Sequence, residues 1–411
     1  MKAVKTFLSV GAVLMLAGFA LAQTWTQASA PNKNWQAVAS SADGRNLIAG
    51  GQSWTYCIST NSGSTWTTNT EPQIGSAYGS WSAIASSADG TKFVGINSSV
   101  IWVSTNSGLT WLSNNVPGVS FFASVALSAD GNKLVVVDGK QSSPGLIYTS
   151  TNSGITLTPT MAPANYWASV ASSADGTKLV SATLNSQGGL IYASTNSGLT
   201  WTLTGAPTNN GWETVASSAD GSKLVAASGV AFVPGLSFGG VYTSTNFGMD
   251  WTSNNVPAEQ WSSIASSADG TKLVVVAEGG HTGSIYSIYS STNSGATWVS
   301  NSAPLDTWVS VASSADGDIL VAAPVGDQSF NPAPIYTSQT TPSPQLNLTP
   351  SLTNLTLAWT VPSTNFVLQH SADLISWADV TNPPVLNLAN LQNQVMLSPT
   401  NRSGFYRLKT P

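Results

Sequence analysis

Trp212-Glu213-Thr214-Val215-Ala216-Ser217-Ser218-Ala219-Asp220-Gly221 is one copy of a phrase, W-x-x-[IV]-A-S-S-A-D-G, that recurs with its aspartate at 43, 89, 130, 175, 220, 269 and 316. The intervals between copies are 46, 41, 45, 45, 49 and 47 residues. A unit of that length cannot bury its own apolar face and must stack on its neighbours, so the period itself predicts a repeat architecture. The third copy is the loosest, with Phe122 in place of the Trp and Leu127 in place of the first Ser.

A second phrase, S-T-N-S-G-x-T-W, follows each of the first six copies, beginning at Ser59, Ser104, Ser150, Ser194, Ser244 and Ser291. Leu157 replaces the Trp in the third, and Phe247 the second Ser in the fifth. One unit then reads as four strands. Trp81 to Ala85 is innermost, Ser86 to Gly90 makes a tight turn on its Asp and Gly, and Lys92 to Gly95 returns. Ile101 to Ser104 is the third, and the S-T-N-S-G turn leads to a fourth carrying Trp111. The seventh copy lacks this last strand, and a matching segment, Thr24-Trp25-Thr26, stands at the other end of the chain. The expectation is an all-β, seven-bladed β-propeller closed by an N-terminal strand, which leaves the ring without an open edge. Twelve of the sixteen Trp fall at the two repeated positions and are expected to pack between blades, where each indole buries about 150–250 Å².

Charged residues make up 8% of the 411 positions and the net charge is −5, with no Lys/Arg cluster, which excludes a nucleic-acid-binding surface. The chain opens with Lys2 and Lys5, an apolar run from Phe7 to Ala20, and Ala20-Leu21-Ala22 as a cleavage site. Residues 1–22 thus read as a signal peptide. No Cys follows to carry a lipid anchor, and no later segment is long and apolar enough to span a bilayer, so no membrane insertion is expected. The expected product is a monomer beginning at Gln23, secreted or held in a periplasm or at a cell surface. Cys57 is the only cysteine, so an intrachain disulfide is impossible; it stands where other repeats carry Tyr or Trp and is expected to be a buried thiol.

The repeats end at Ser338, making residues 23–338 the propeller. Residues 339–344, Pro- and Ser-containing, read as a linker, and 345–411 as a small β-sandwich. Four runs in that module read as strands: Leu355 to Trp359, Phe366 to His370, Gln394 to Leu397 and Phe405 to Leu408.

The S-T-N-S-G-x-T-W phrase resembles the Asp box, S-x-D-x-G-x-T-W, of BNR or sialidase-like repeats, with Asn61, Asn106, Asn152, Asn196, Asn246 and Asn293 in the Asp position. With the first phrase, the resemblance covers roughly residues 24–338 and is to bacterial secreted propellers of sialidase type or photosystem II assembly factor-like type. It implies a structural hairpin whose side-chain oxygen accepts backbone N–H bonds, a task an Asn carbonyl also performs. The last residues, ending Phe405-Tyr406-Arg407-Leu408, resemble fibronectin III-like terminal modules of such proteins.

Sialidases hold their substrate carboxylate with three arginines. The chain has Arg45 in a blade turn and Arg402 and Arg407 in the terminal module, so a sialidase triad within the propeller is excluded. Photosystem assembly factors of similar repeat use a basic patch that is missing here. Another glycosidase needs two facing carboxylates, about 5–9.5 Å apart. Seven acids belong to the repeated turn; of the others, Asp138, Glu278 and Asp327 fall in loops from strand two to three, and Glu71, Glu213, Glu259 and Asp306 beside loops from strand four to the next blade. Both sets share one face, where they are expected to be solvated loop charges. His281, alone in the propeller, gives no conventional zinc site, and no cofactor is expected. The candidate ligand face is Asp138, Lys140, Phe232, Phe238, Glu278, His281, Asp327 and Phe330. The expected function is a non-catalytic binding or scaffold protein holding a protein or glycan, the alternative a glycan-active hydrolase or lyase with Asp138, Glu278 or Asp327 as acid and base.

Overall fold

The computed structural model describes residues 23–69, 79–119, 121–139, 143–184, 188–208, 210–229, 239–278, 287–304, 306–325, 332–340, 346–350, 355–360, 367–371, 375–387, 391–397 and 405–409. The fifth repeat shows how sequence becomes strand. Trp212–Ser217, Leu224–Ser228, Val241–Ser244 and Thr252–Ser253 form one antiparallel sheet in chain order. The second strand is buried along its whole length, which suits its short apolar side chains, whereas the fourth is exposed and polar. Trp212 pairs with Ser228 and Thr214 with Ala227, so a bulge follows the Trp. The same shift follows Trp35, Phe122, Trp167, Trp261 and Trp308. An extra residue there re-aims the side chain.

Among the described residues of 24–339 there are seven such four-stranded sheets, numbered here by their first strands: Trp35–Ser40, Ala83–Ser86, Phe122–Leu127, Trp167–Ser172, Trp212–Ser217, Trp261–Ser266 and Trp308–Ser313. In the last, Thr26–Gln27 is the fourth strand, with Thr26 opposite Thr337 and Gln27 opposite Tyr336. The inner strands are joined by a ring of backbone hydrogen bonds. Ala42 N–H donates to Ala88 O, and the pattern runs through Ala129, Ala174, Ala219, Ala268 and Ala315 back to Ala42, every bond 2.7 or 2.8 Å. The chain is a β-propeller.

The core lies between sheets. Val225, Ala227 and Val241 of the fifth meet Trp261, Ile264 and Leu273 of the sixth, and Val321, Ala323 and Ile335 of the seventh meet Trp35, Val38 and Leu47 of the first. Trp35, Trp81, Trp167, Trp212, Trp261 and Trp308 are fully buried. The fourth-strand indoles lean on them, as in Trp167–Trp201 and Trp212–Trp251, each 6.4 Å between ring centres. These indoles are core, as their periodicity implied. In the third sheet both members of the pair are smaller, and Phe122 packs in one cluster with Leu157. Cys57 is buried opposite Ala49; burial raises its thiol pKa, against a weak bond to the Thr68 hydroxyl and the charge of Lys33.

Beyond the propeller, Asn347–Pro350, Leu355–Thr360, Gln392–Leu397 and Val385–Asn387 make one sheet. Ala378–Asp379, Val367–Ser371 and Phe405–Lys409 make another. Leu357, Trp359, Leu368 and Val395 form their shared core.

Candidate functional site

Each sheet offers two ends. The S-A-D-G turn and the S-T-N-S-G turn lie together at one, since Phe247 N–H donates to Ser222 O and Ser197 N–H to Thr177 O. We call this the turn face and the opposite end the loop face.

The turn face carries most of the repeated polar chemistry, and the structure accounts for it internally. In the fifth sheet the Ser218 hydroxyl donates to Asp220 Oδ1 (2.7 Å), which also accepts from the Ser222 amide and hydroxyl (2.9 and 2.8 Å). Ser218 Oγ in turn accepts the Lys223 amide. For Asp89, Asp130, Asp175, Asp220 and Asp269, burial alone would raise the pKa, but these hydroxyl and amide donors outweigh it and hold each carboxyl below its ordinary value. Lys133, Lys178 and Lys223 then reach into the next turn to donate to Asp175 O, Asp220 O and Asp269 O, at 2.7–2.9 Å. Lys92 donates instead to the side-chain Oδ1 of Asn132, and Lys272 pairs with Asp318, each at 2.6 Å. Five lysines therefore lace one sheet to the next.

The second turn is built alike. Ser194 Oγ donates to Asn196 Oδ1 and accepts the Gly198 amide, while Asn196 Oδ1 accepts the Thr200 amide and its Nδ2 donates to the Thr200 hydroxyl (2.8 Å). The Asn thus uses both ends of its amide, which the Asp of the resembled box cannot.

On the loop face Asp138 is the last residue of Leu134–Asp138, opposite Phe122, and is 8% exposed. It is a strand end, not the solvated loop charge its sequence position suggested. Its Oδ1 accepts the Phe121 amide at 3.4 Å, and burial pushes its carboxyl pKa up against that bond. Thr183 and Ser228 hold the same register and bond the backbone of Leu190 and Gly240. Asp138 thus shares a strand-closing position with small hydroxyls. Glu278 follows Leu273–Ala277 in the sixth sheet, its amide bonded to Gln260 O at 2.9 Å. The fourth and fifth sheets stand between it and Asp138. Lys140, Phe232, Phe238, His281, Asp327 and Phe330 lie outside the described residues, as does Glu71. Glu259 is 8% exposed, Glu213 half-buried in the fifth sheet's first strand, and Asp306 accepts the Thr307 amide at 2.9 Å. Among the described residues no three His, Cys, Asp or Glu gather as metal ligands, and no helix is long and apolar enough to cross a membrane.

Asn210 went unread in the sequence. Its backbone carbonyl accepts the Gly189 amide at 2.6 Å, yet its side chain is fully buried with both Oδ1 and Nδ2 unbonded, and the Trp212 Nε1 is unbonded as well. A signal existed: the residue two before the Trp is Lys33, Asn165, Asn210, Glu259 and Asp306 in five copies.

No protein-family model and no curated protein matches the sequence. Solved structures do match in fold. YCF48 bound to D1 peptide is similar with a TM-score of 0.56 and 12% identity, over 78% of this chain and 98% of that one. YCF48 from Cyanidioschyzon merolae gives 0.57 and 14%, over 77% and 99%. The RRP9 WD40 repeats give 0.60 and 10%, over 78% and 99%. At such identity the likeness is one of fold, and it agrees with the propeller built above from its own hydrogen bonds.

Proposed function

We propose that the chain is an exported, non-catalytic binding protein: a seven-bladed β-propeller of Asp-box type, closed by its N-terminal strand and followed by a small β-sandwich of fibronectin III-like type, that holds a protein partner on its loop face. The contrast between the faces carries this reading. Repeated Ser, Asp, Lys and Asn of the turn face are bonded within their own sheet or to the next. On the loop face the connection from second to third strand varies from two residues (98–99) to twelve (229–240). Variable loops on a rigid scaffold are where recognition concentrates. The closed ring of seven alanine amides supports the blade count.

A protein partner is favoured over a glycan because a YCF48 with the same fold was solved with a peptide. The burial of Asp138 against Phe121 supports the non-catalytic reading. With 8% charged residues, the contact would rest on amides, hydroxyls and aromatic surface and vary little with salt.

The test is a peptide-display selection on the purified chain from Gln23, with a glycan array in parallel. Selected peptides should lose binding to a Gln260→Arg, Glu278→Arg variant and keep it with Leu199→Arg on the turn face. Peptides blind to the loop variant, or binding confined to glycans, would refute the reading. Release of a product whose N-terminus is Gln23 tests export separately.

A further inference from the structure

The alanines of the inner ring, Ala42 through Ala315, gather their methyl groups into one apolar cluster at the turn-face end of the propeller axis. A cavity of about 160 Å³ lies there, lined by Ser and Ala side chains from all seven sheets, with Leu127 in the third. One more residue lines it: Leu391, from the C-terminal sheets, which also packs on the alanine cluster.

Leu391 stands just before the strand Gln392–Leu397, with φ of 54°. That left-handed conformation belongs to Gly or Asn, and a Leu there needs its surroundings to hold it. The alanine mouth supplies such surroundings. Its shape is preformed, because the amides of all seven alanines are tied to one another. Its hydroxyls ask for nothing: Ser40, Ser86, Ser172, Ser217, Ser266 and Ser313 each donate to the next serine's carbonyl at 2.9–3.0 Å. An apolar side chain can therefore cover the mouth without stripping a hydroxyl proton of its acceptor.

We propose that the seven-alanine mouth is a seat for one branched aliphatic side chain, and that this chain covers its opening in cis with Leu391, making the C-terminal sheets a cap over the turn-face end of the axis. A ligand approaching along the axis then has only the loop face by which to enter. The cap holds whether or not that ligand is a protein.

Cysteine pairs in the full chain from Gln23, on a Cys57→Ala background, test the contact. Leu391→Cys with Ala219→Cys, and separately with Ala315→Cys, should oxidise to an intramolecular disulfide. Exposed Met396→Cys paired with the same ring positions should not. Leu391→Asp should release the cap, seen as a larger radius of gyration by X-ray scattering, with Leu391→Met unchanged. Folded chains that fail to cross-link at either ring position, or a Leu391→Asp scattering curve that superimposes on the parent's, would overturn the proposal.

Discussion

Asn246 donates its side-chain amide to Asp250 Oδ2 at 2.8 Å, across a turn in which each of the other five copies places a Thr hydroxyl opposite the Asn. The fifth turn has thus moved its carboxylate from the first position of the pair to the last. Asn246→Asp sets two carboxylates against each other and should destabilise by roughly 1 kcal/mol, the exposed end of the range for a bond to a charged group. Asn61→Asp, facing the Thr65 hydroxyl, should stay within about 0.5 kcal/mol, because a hydroxyl can donate to the new carboxylate. Denaturant melts of the two variants decide it; equal losses would mean that the pair at 246 and 250 is not what distinguishes them.

The repeat made the strands, turns and buried indoles legible, because Trp, Asp-Gly and Asn-x-Gly each fix a local geometry. Contacts between repeats left no such mark. Lys178 reaches the carbonyl of Asp220 42 positions away, and nothing near Lys178 announces it. Asp138 looked like a loop acid because its strand, Leu134–Asp138, is apolar up to that residue. Aligning the copies by register would have set it beside Thr183 and Ser228. Leu391 was invisible for a different reason: its contact joins the terminal sheets to the propeller axis, and no periodicity spans the two.

The acids fall into two groups with opposite pH signatures. Asp89, Asp130, Asp175, Asp220 and Asp269 have lowered pKa values, so their stabilisation is complete above the unfolded value of about 3.9 and is lost as pH falls through the folded values. Asp138 is raised, so its contribution is present below about pH 3.9 and disappears as pH rises through its folded value. Asp220→Asn should therefore lower the melting temperature at neutral pH and converge on the parent in acid. Asp138→Asn should be most favourable, relative to the parent, at neutral pH and lose that advantage in acid. Melting curves across the acid range check both, and a parallel response of the two variants would contradict the assignment.

The third sheet invites a repair. Trp66, Trp201, Trp251 and Trp298 each donate Nε1–H to the glycine carbonyl three residues back, at 3.0–3.1 Å. Leu157 cannot, and Gly154 O accepts the Asn114 side chain instead. A carbonyl has two acceptor sites, so Leu157→Trp should add the missing bond and stabilise by about 0.5–1.5 kcal/mol. In the second sheet the corresponding carbonyl, Gly108 O, accepts the Tyr56 hydroxyl at 2.9 Å and the Trp111 N–H is unbonded. If Leu157→Trp is destabilising, one occupant per glycine carbonyl is the rule and Asn114 already fills that place.

Asn210 offers the sharpest test of the loop face. Its amide is fully buried with neither Oδ1 nor Nδ2 bonded, whereas Asn165, at the same place in the preceding repeat, has its Oδ1 on the Tyr166 amide at 2.9 Å. A buried amide without partners carries a desolvation penalty of about 1–3 kcal/mol. Leu repeats the branched shape of Asn with bulkier tips and has no polar atom to desolvate. Asn210→Leu should therefore stabilise the chain by about 1 kcal/mol, at the low end because some repacking follows. Asn165→Leu, which strands the Tyr166 amide, should instead destabilise by a similar amount. Thermal or urea melts of the pair read out the difference. A loss in both would show that Asn210 is bonded in solution, by an ordered water or a ligand, and would move it from unbonded core residue to part of the binding face.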